Sequence, residues 1–102
     1  MRKSKVLVSG IQAGVFAEIE QDKEYFFEYL PEYSSQPVSL TMPLSQQKYS
    51  FENFPPFFDG LLPEGWQLDA LLKNRKIDRH DYFSQLISVG KDTVGNVTIE
   101  EI

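Results

Sequence analysis

The stretch from Lys5 to Leu30, KVLVSGIQAGVFAEIEQDKEYFFEYL, decides how this chain folds. Lys5-Val6-Leu7-Val8-Ser9 alternates and is rich in β-formers, which predicts a strand. Gly10 and Gly14 bracket a turn. Val15-Phe16-Ala17-Glu18-Ile19-Glu20 alternates again, with Val15, Ala17 and Ile19 on one face and Phe16 out of step. Gln21-Asp22-Lys23-Glu24 has the composition of a hairpin turn. Tyr25-Phe26-Phe27-Glu28-Tyr29-Leu30 reads as a third strand, and its aromatics on both faces predict cover on both sides. Together these segments predict a three-stranded antiparallel meander.

Outward from the meander, Pro31 to Pro37 is a Ser- and Pro-rich loop. Val38-Ser39-Leu40-Thr41-Met42 alternates and predicts a further strand, stopped by Pro43. A short edge strand is expected at Tyr49-Ser50-Phe51 within an otherwise irregular stretch. The run from Pro55 to Trp66, PPFFDGLLPEGW, cannot be a regular strand, because Pro and Gly interrupt it repeatedly. It is also too apolar for a solvated connector, so it either plugs a core or presents a rigid apolar surface. A helix follows, opened by Pro63 or the Glu64-Gly65 pair, with Leu68, Leu71 and Leu72 facing inward. Lys73 to Lys76 suit the negative end of its dipole. Asp78 is the expected N-cap of a second helix. Tyr82, Leu86 and Val89 would line that helix, beside Phe83 and Ile87, and Gly90 would end it. Val97-Thr98-Ile99 then rejoins the sheet. The expected fold class is α+β: a small antiparallel sheet or partial barrel, two helices and a closing C-terminal strand, in one domain over residues 1–102.

Composition narrows the function classes. Ten Lys and Arg against fifteen Asp and Glu leave a net charge of −5. Such a chain repels phosphate backbones, which argues against direct nucleic-acid binding. There is no cysteine, hence no disulfide and no thiolate metal site. The apolar run behind the basic Met1 to Ser4 is too short for a signal peptide, and no stretch approaches the ~18 apolar residues of a membrane span. The expectation is a cytoplasmic protein without a membrane partner.

Catalytic chemistry has little to work with. The single histidine, His80, is expected at the surface, with no nucleophile beside it. Without a second His or any Cys, no metal ligand set forms. Glu18, Glu20, Asp22, Glu24 and Glu28 are spaced as a solvated sheet face rather than an acid–base pair. Val89-Gly90-Lys91-Asp92-Thr93-Val94-Gly95 lacks the Gly-Lys-Ser/Thr ending of a phosphate loop. No cofactor and no catalytic residue is expected. The residues read as an interaction module rather than an enzyme.

Three segments resemble the N-terminal domain of HipA-type toxin kinases. Val38-Ser39-Leu40-Thr41-Met42-Pro43-Leu44 is similar to that family's "PLSLSLPL" segment. Phe57-Phe58-Asp59-Gly60-Leu61-Leu62-Pro63-Glu64-Gly65 is similar to its "FFxNLLPEG" signature. The segment from Phe83 to Val97 resembles its "LLxxVGxDxxGAV" ending, with Gly95-Asn96 where the family has Gly-Ala. After the signature this chain has Trp66-Gln67-Leu68-Asp69 where the family usually continues with a polar, Arg-containing helix start. HipA kinases carry their ATP-binding, magnesium-binding and catalytic residues downstream of this module, so none is carried over.

A free-standing module of this kind resembles the HipS antitoxins of tripartite systems, whose toxin HipT corresponds to a HipA kinase lacking the module. The resemblance implies an antitoxin that binds a HipT/HipA-like Ser/Thr kinase in trans, with a HipB-like DNA-binding protein in the same complex. It equally allows a non-inhibitory structural or regulatory subunit of that complex. The close of the chain at Glu100-Glu101-Ile102, soon after the last strand, is what a free-standing domain would show. The expected partner-binding residues are Trp66, Glu64, Phe58, Asp59, Leu62 and Pro63, with Trp66 as the anchor that blocks closure of the kinase nucleotide loop. Phe57, Phe58, Leu61 and Leu62 can instead fold under the sheet, and Glu64 can serve only to cap the helix.

Overall fold

The computed structural model describes residues 1–93 and 95–102. Strands β1 (Arg2–Val8), β2 (Ile11–Glu20) and β3 (Glu24–Tyr29) form the antiparallel meander. β4 (Lys48–Phe51) adds to β3 as an edge strand. β5 (Val97–Glu101) returns antiparallel to β1, giving the order β4-β3-β2-β1-β5. The helices are α1 (Pro56–Asp59), α2 (Gly65–Arg75) and α3 (Tyr82–Val89). The fold is α+β, with an open five-stranded sheet and three helices rather than two. The extra one, α1, is a single turn in the Pro-rich run.

The core lies on one face of the sheet. Val6, Val8, Phe16, Tyr25, Phe27, Tyr29 and Ile99 supply it from the strands, and Phe58 of α1 with Phe83 and Leu86 of α3 close over them. The register puts Phe16 opposite Ser4 and Phe27 on this face. Phe16 therefore marks the inward phase of β2, not the out-of-step position expected from Val15, Ala17 and Ile19. Ile19 is exposed on the opposite face. One residue of phase decides which side of a strand is wet, because side chains alternate with a period of two. The second face of β3 is not covered as its aromatics suggested: Phe26 is half-buried, with the Lys48 ammonium 4.4 Å from its ring centroid.

Several local expectations are corrected. The β1–β2 turn is Ser9-Gly10 alone, both residues left-handed (φ 50° and 82°), as in a tight hairpin turn. Gly14 sits inside β2, where a Cβ would overlap the Glu28 carbonyl and lie 2.9 Å from the Phe27 ring. Val38 to Met42 is not a strand. It forms a turn with a single bridge, Ser39 to Met42, in which Val38 and Met42 are buried and Leu40 is exposed. A strand would have turned Leu40 to the same side as Val38 and Met42; the turn brings only its two ends inward. The N-cap of α3 is Asp81, whose carboxylate accepts from the Ser84 N–H. Asp78 instead accepts from the His80 N–H in the loop before it. Gly90 ends α3 in right-handed geometry, and its missing Cβ makes room for Ile99 of β5, whose N–H donates to the Gly90 carbonyl at 2.8 Å. Val94 of the expected "VGxDxxG" segment lies outside the described residues.

Candidate interaction surface

The Pro55 to Trp66 run divides into an anchor and an arm. Pro55 is buried and precedes α1, which opens on Pro56, where a helix has no use for the missing N–H. Phe58 is fully buried and stacks on Phe16 with ring centroids 4.1 Å apart. It cannot touch a partner, so its assignment as a contact residue is corrected to that of a core anchor. Phe57, Leu61 and Leu62 pack partly against the core. The chain then leaves the surface. Pro63 is half-buried, Glu64 is extended and exposed, and Gly65 takes φ 59°, a conformation that suits glycine. Glu64 occupies the N-cap position, but its side chain makes no cap hydrogen bond. Glu64 is exposed, as is Asp59.

Trp66 is 78% exposed. It stands in the first turn of α2, a helix with no buried residue at all. Leu68, Leu71 and Leu72 are half-buried rather than turned into a core, which corrects their inward assignment. Lys73 and Arg75 lie in the last turn, as the dipole favours, and Arg79 reaches back to Asp69 at 2.6 Å. His80 is at the surface, 72% exposed.

A cleft of about 290 Å³ is lined by Gly60, Leu61, Leu62, Pro63, Gln67, Val89, Asp92 and Thr93; Trp66 itself is not among these but precedes Gln67 in the chain. Two segments distant in sequence, Gly60 to Pro63 and Val89 to Thr93, therefore contribute to one place. Thr93 is held there through a hydrogen bond from its hydroxyl to the Val97 carbonyl. Asp92 lines this ground and is exposed, and Asp59 and Glu64, which flank Gly60 to Pro63 in the chain, are exposed as well. Among the described residues no group of three or more His, Cys, Asp or Glu side chains could hold a metal ion. No helix of the described residues is long and apolar enough to cross a membrane.

One cluster escaped the sequence reading. Arg2 donates to Glu18 from Nε at 2.8 Å, to Asp81 from Nη2 at 2.8 Å, and to the Ser84 hydroxyl from Nη1 at 2.8 Å. Its guanidinium lies 5.0 Å from the Phe83 ring centroid. Glu18 is 5% exposed, not part of a solvated face, and its Oε2 has no hydrogen-bond partner. Burial alone would raise the pKa of Asp81, but hydrogen bonds from Arg2 and Ser84 outweigh it and hold the carboxyl below its ordinary range. For Arg2 burial likewise opposes the charge, and Asp81 and Glu18 raise it overall. The cluster ties β1, β2 and α3 together at the end of the sheet away from the cleft. Reading β2 from Phe16 would have placed Glu18 inward.

A family model described as the HipA N-terminal domain matches residues 4–100. An uncharacterized protein of Haemophilus influenzae is 32% identical over 101 residues, which cover 99% of this chain and 93% of that protein. A solved structure described as the N-terminal domain of HipA toxin superposes with a TM-score of 0.77 at 29% identity, over 100% of this chain and 93% of that one.

Proposed function

This chain belongs to the HipA N-terminal domain family, and on that premise we propose that it is an antitoxin, one that binds a HipA-like Ser/Thr kinase toxin in trans and inhibits it. What these residues match is the N-terminal module. Inhibition would therefore be steric or conformational and would need no chemistry from this chain. The observation that carries the reading is Trp66: the only tryptophan, 78% exposed, directly after the Leu-Leu-Pro-Glu-Gly segment and next in the chain to Gln67 of the cleft.

Phe58 in the core fixes one end of the arm, and Pro55, Pro56 and Pro63 restrict it, so little order is lost when it docks. The indole then enters the kinase beside its active site and keeps the nucleotide loop from closing. Leu62 and Pro63 extend the apolar contact, and Asp59 and Glu64 meet basic groups at its rim. A HipB-like DNA-binding protein in the same cytoplasmic complex makes the DNA contacts, which the −5 charge of this chain disfavours.

The test is co-expression with the HipA-like kinase of the same genome, scoring growth and recovering the complex. Wild type is expected to restore growth and to co-purify with the kinase. Trp66→Ala is expected to fold and to lose ~2–4 kcal/mol of binding, and with it the rescue. A stable complex without rescue, and with unchanged kinase activity, would favour a non-inhibitory subunit instead. Full protection by Trp66→Ala would remove the anchor role.

A further inference from the structure

The segment Val38 to Leu44 is the one family-like motif that the Trp66 surface does not use. It makes neither a strand nor a simple connector. Tyr29 holds its base: the phenol accepts from the Val38 N–H at 2.9 Å and donates to the Met42 carbonyl at 2.5 Å. Burial pushes this phenol up from its ordinary pKa, so it keeps the proton that it donates. Within the turn, the Ser39 hydroxyl accepts from the Thr41 N–H at 3.2 Å, and the Met42 N–H donates to the Ser39 carbonyl at 3.1 Å. At the tip of this braced turn, Leu40 is 96% exposed. Fixing a backbone costs conformational entropy, and here the fixed turn leaves a leucine in water.

Leu40 and Trp66 stand at the same end of the molecule. Tyr29 ends β3, the Ser9-Gly10 turn joins β1 to β2, and β5 begins at Val97, all at one end of the sheet. The last turn of α3 arrives there too, since Gly90 bonds to Ile99 of β5. The Asn96 amide donates to Gln36 at 3.2 Å, joining the loop after β3 to the turn that borders the cleft. Underneath, the Tyr29 ring packs on Phe27 and Phe27 on Phe58, the core anchor of the Trp66 arm. Both tips are thus mounted on one packed aromatic row. The surrounding chemistry matches as well. Glu32 is the only charged side chain between Pro31 and Gln47, in a chain that is 25% charged. Charge depletion of this kind marks the centre of an interface rather than its rim.

We propose that Leu40 is a second anchor for the same partner protein that receives Trp66, and that it enters an uncharged apolar depression on that partner. The proposal rests on the antitoxin reading above. Two anchors on one rigid body fix the orientation of the complex, which one indole on an arm does not.

The experiment measures affinity for the purified HipA-like kinase domain of the same genome, by titration calorimetry, with wild type, Leu40→Ser and Trp66→Ala. Leu40→Ser is expected to weaken binding about ten- to thirty-fold, the loss of one buried leucine contact. Its melting temperature should match wild type, because Leu40 makes no buried contact in the free protein. Equal affinity of wild type and Leu40→Ser, with Trp66→Ala weakened, overturns the second anchor and leaves the antitoxin reading standing. No binding by wild type overturns both. If Leu40→Ser leaves kinase affinity unchanged but turns a dimer into a monomer in sedimentation, the turn is a contact between two copies and the proposal is wrong.

Discussion

Phe58 shows what one side chain contributes to stability. It is the fully buried aromatic of the Pro-rich run, where it meets Phe16 at 4.1 Å and Phe27 at 6.2 Å. Phe58→Ala would leave a cavity in close-packed surroundings and cost about 3–5 kcal/mol. Thermal and denaturant unfolding should report that loss. Trp66→Ala, by contrast, removes a side chain that packs on little, and its melting temperature should stay within a few degrees of wild type. The two variants therefore separate loss of fold from loss of contact within a single loop. Gly65 makes the separation possible: its left-handed φ of 59° lets the chain turn outward, and a Cβ there would meet nothing but backbone strain.

At the scale of elements, α2 differs from α3. It has eleven residues and none is buried, whereas α3 buries Phe83, Gln85 and Leu86 in eight. Isolated helices of this length are marginal in water, and tertiary packing normally supplies the difference. Half-burial of Leu68, Leu71 and Leu72 supplies little of it, as do the last-turn cations. Amide hydrogen exchange should find α2 opening at a lower free energy than β1 to β3, with protection rising toward the sheet's global value only in the complex. Uniform protection across α2 and β2 in the free protein would contradict this. The contrast is between a helix that lies lightly on the surface and a sheet that carries the core.

The whole molecule is fastened at two ends by different forces. Aromatic packing and the braced turns hold the cleft end. Arg2, Glu18, Asp81 and Ser84 hold the other, joining the first strand to the third helix. Because Asp81 is held below its ordinary pKa of 3.8, it contributes stability above that value, and the contribution is lost as pH falls through its folded-state pKa. Asp81→Asn keeps an N-cap acceptor but removes the charge. The gap in melting temperature between wild type and Asp81→Asn should be constant from about pH 7 to 5 and close below about pH 4. A gap that persists in acid would mean that capping geometry, not the charge of Asp81, ties α3 to β1.

Much of this was legible in residues alone. Alternation in Lys5 to Leu30 determined the antiparallel meander, and Val97-Thr98-Ile99 its returning strand. The Pro-rich run announced an irregular apolar feature, and the Leu-Leu-Pro-Glu-Gly and Val-Gly-x-Asp segments marked the family. These are local signals, set by side-chain period and by the backbone limits of Pro and Gly. Only the tertiary structure decided which face of β2 is wet, because Phe16 and Ile19 are equally apolar until a layer packs on one of them. The same holds for Val38 to Met42, where a strand would put Val38, Leu40 and Met42 on one face, whereas the turn braced by the Tyr29 hydroxyl buries Val38 and Met42 and leaves Leu40 in water. It placed Phe58 inside and Trp66 outside, although both are large aromatics in one loop. Burial depends on what lies across the sheet, and that is set by residues far away in the chain.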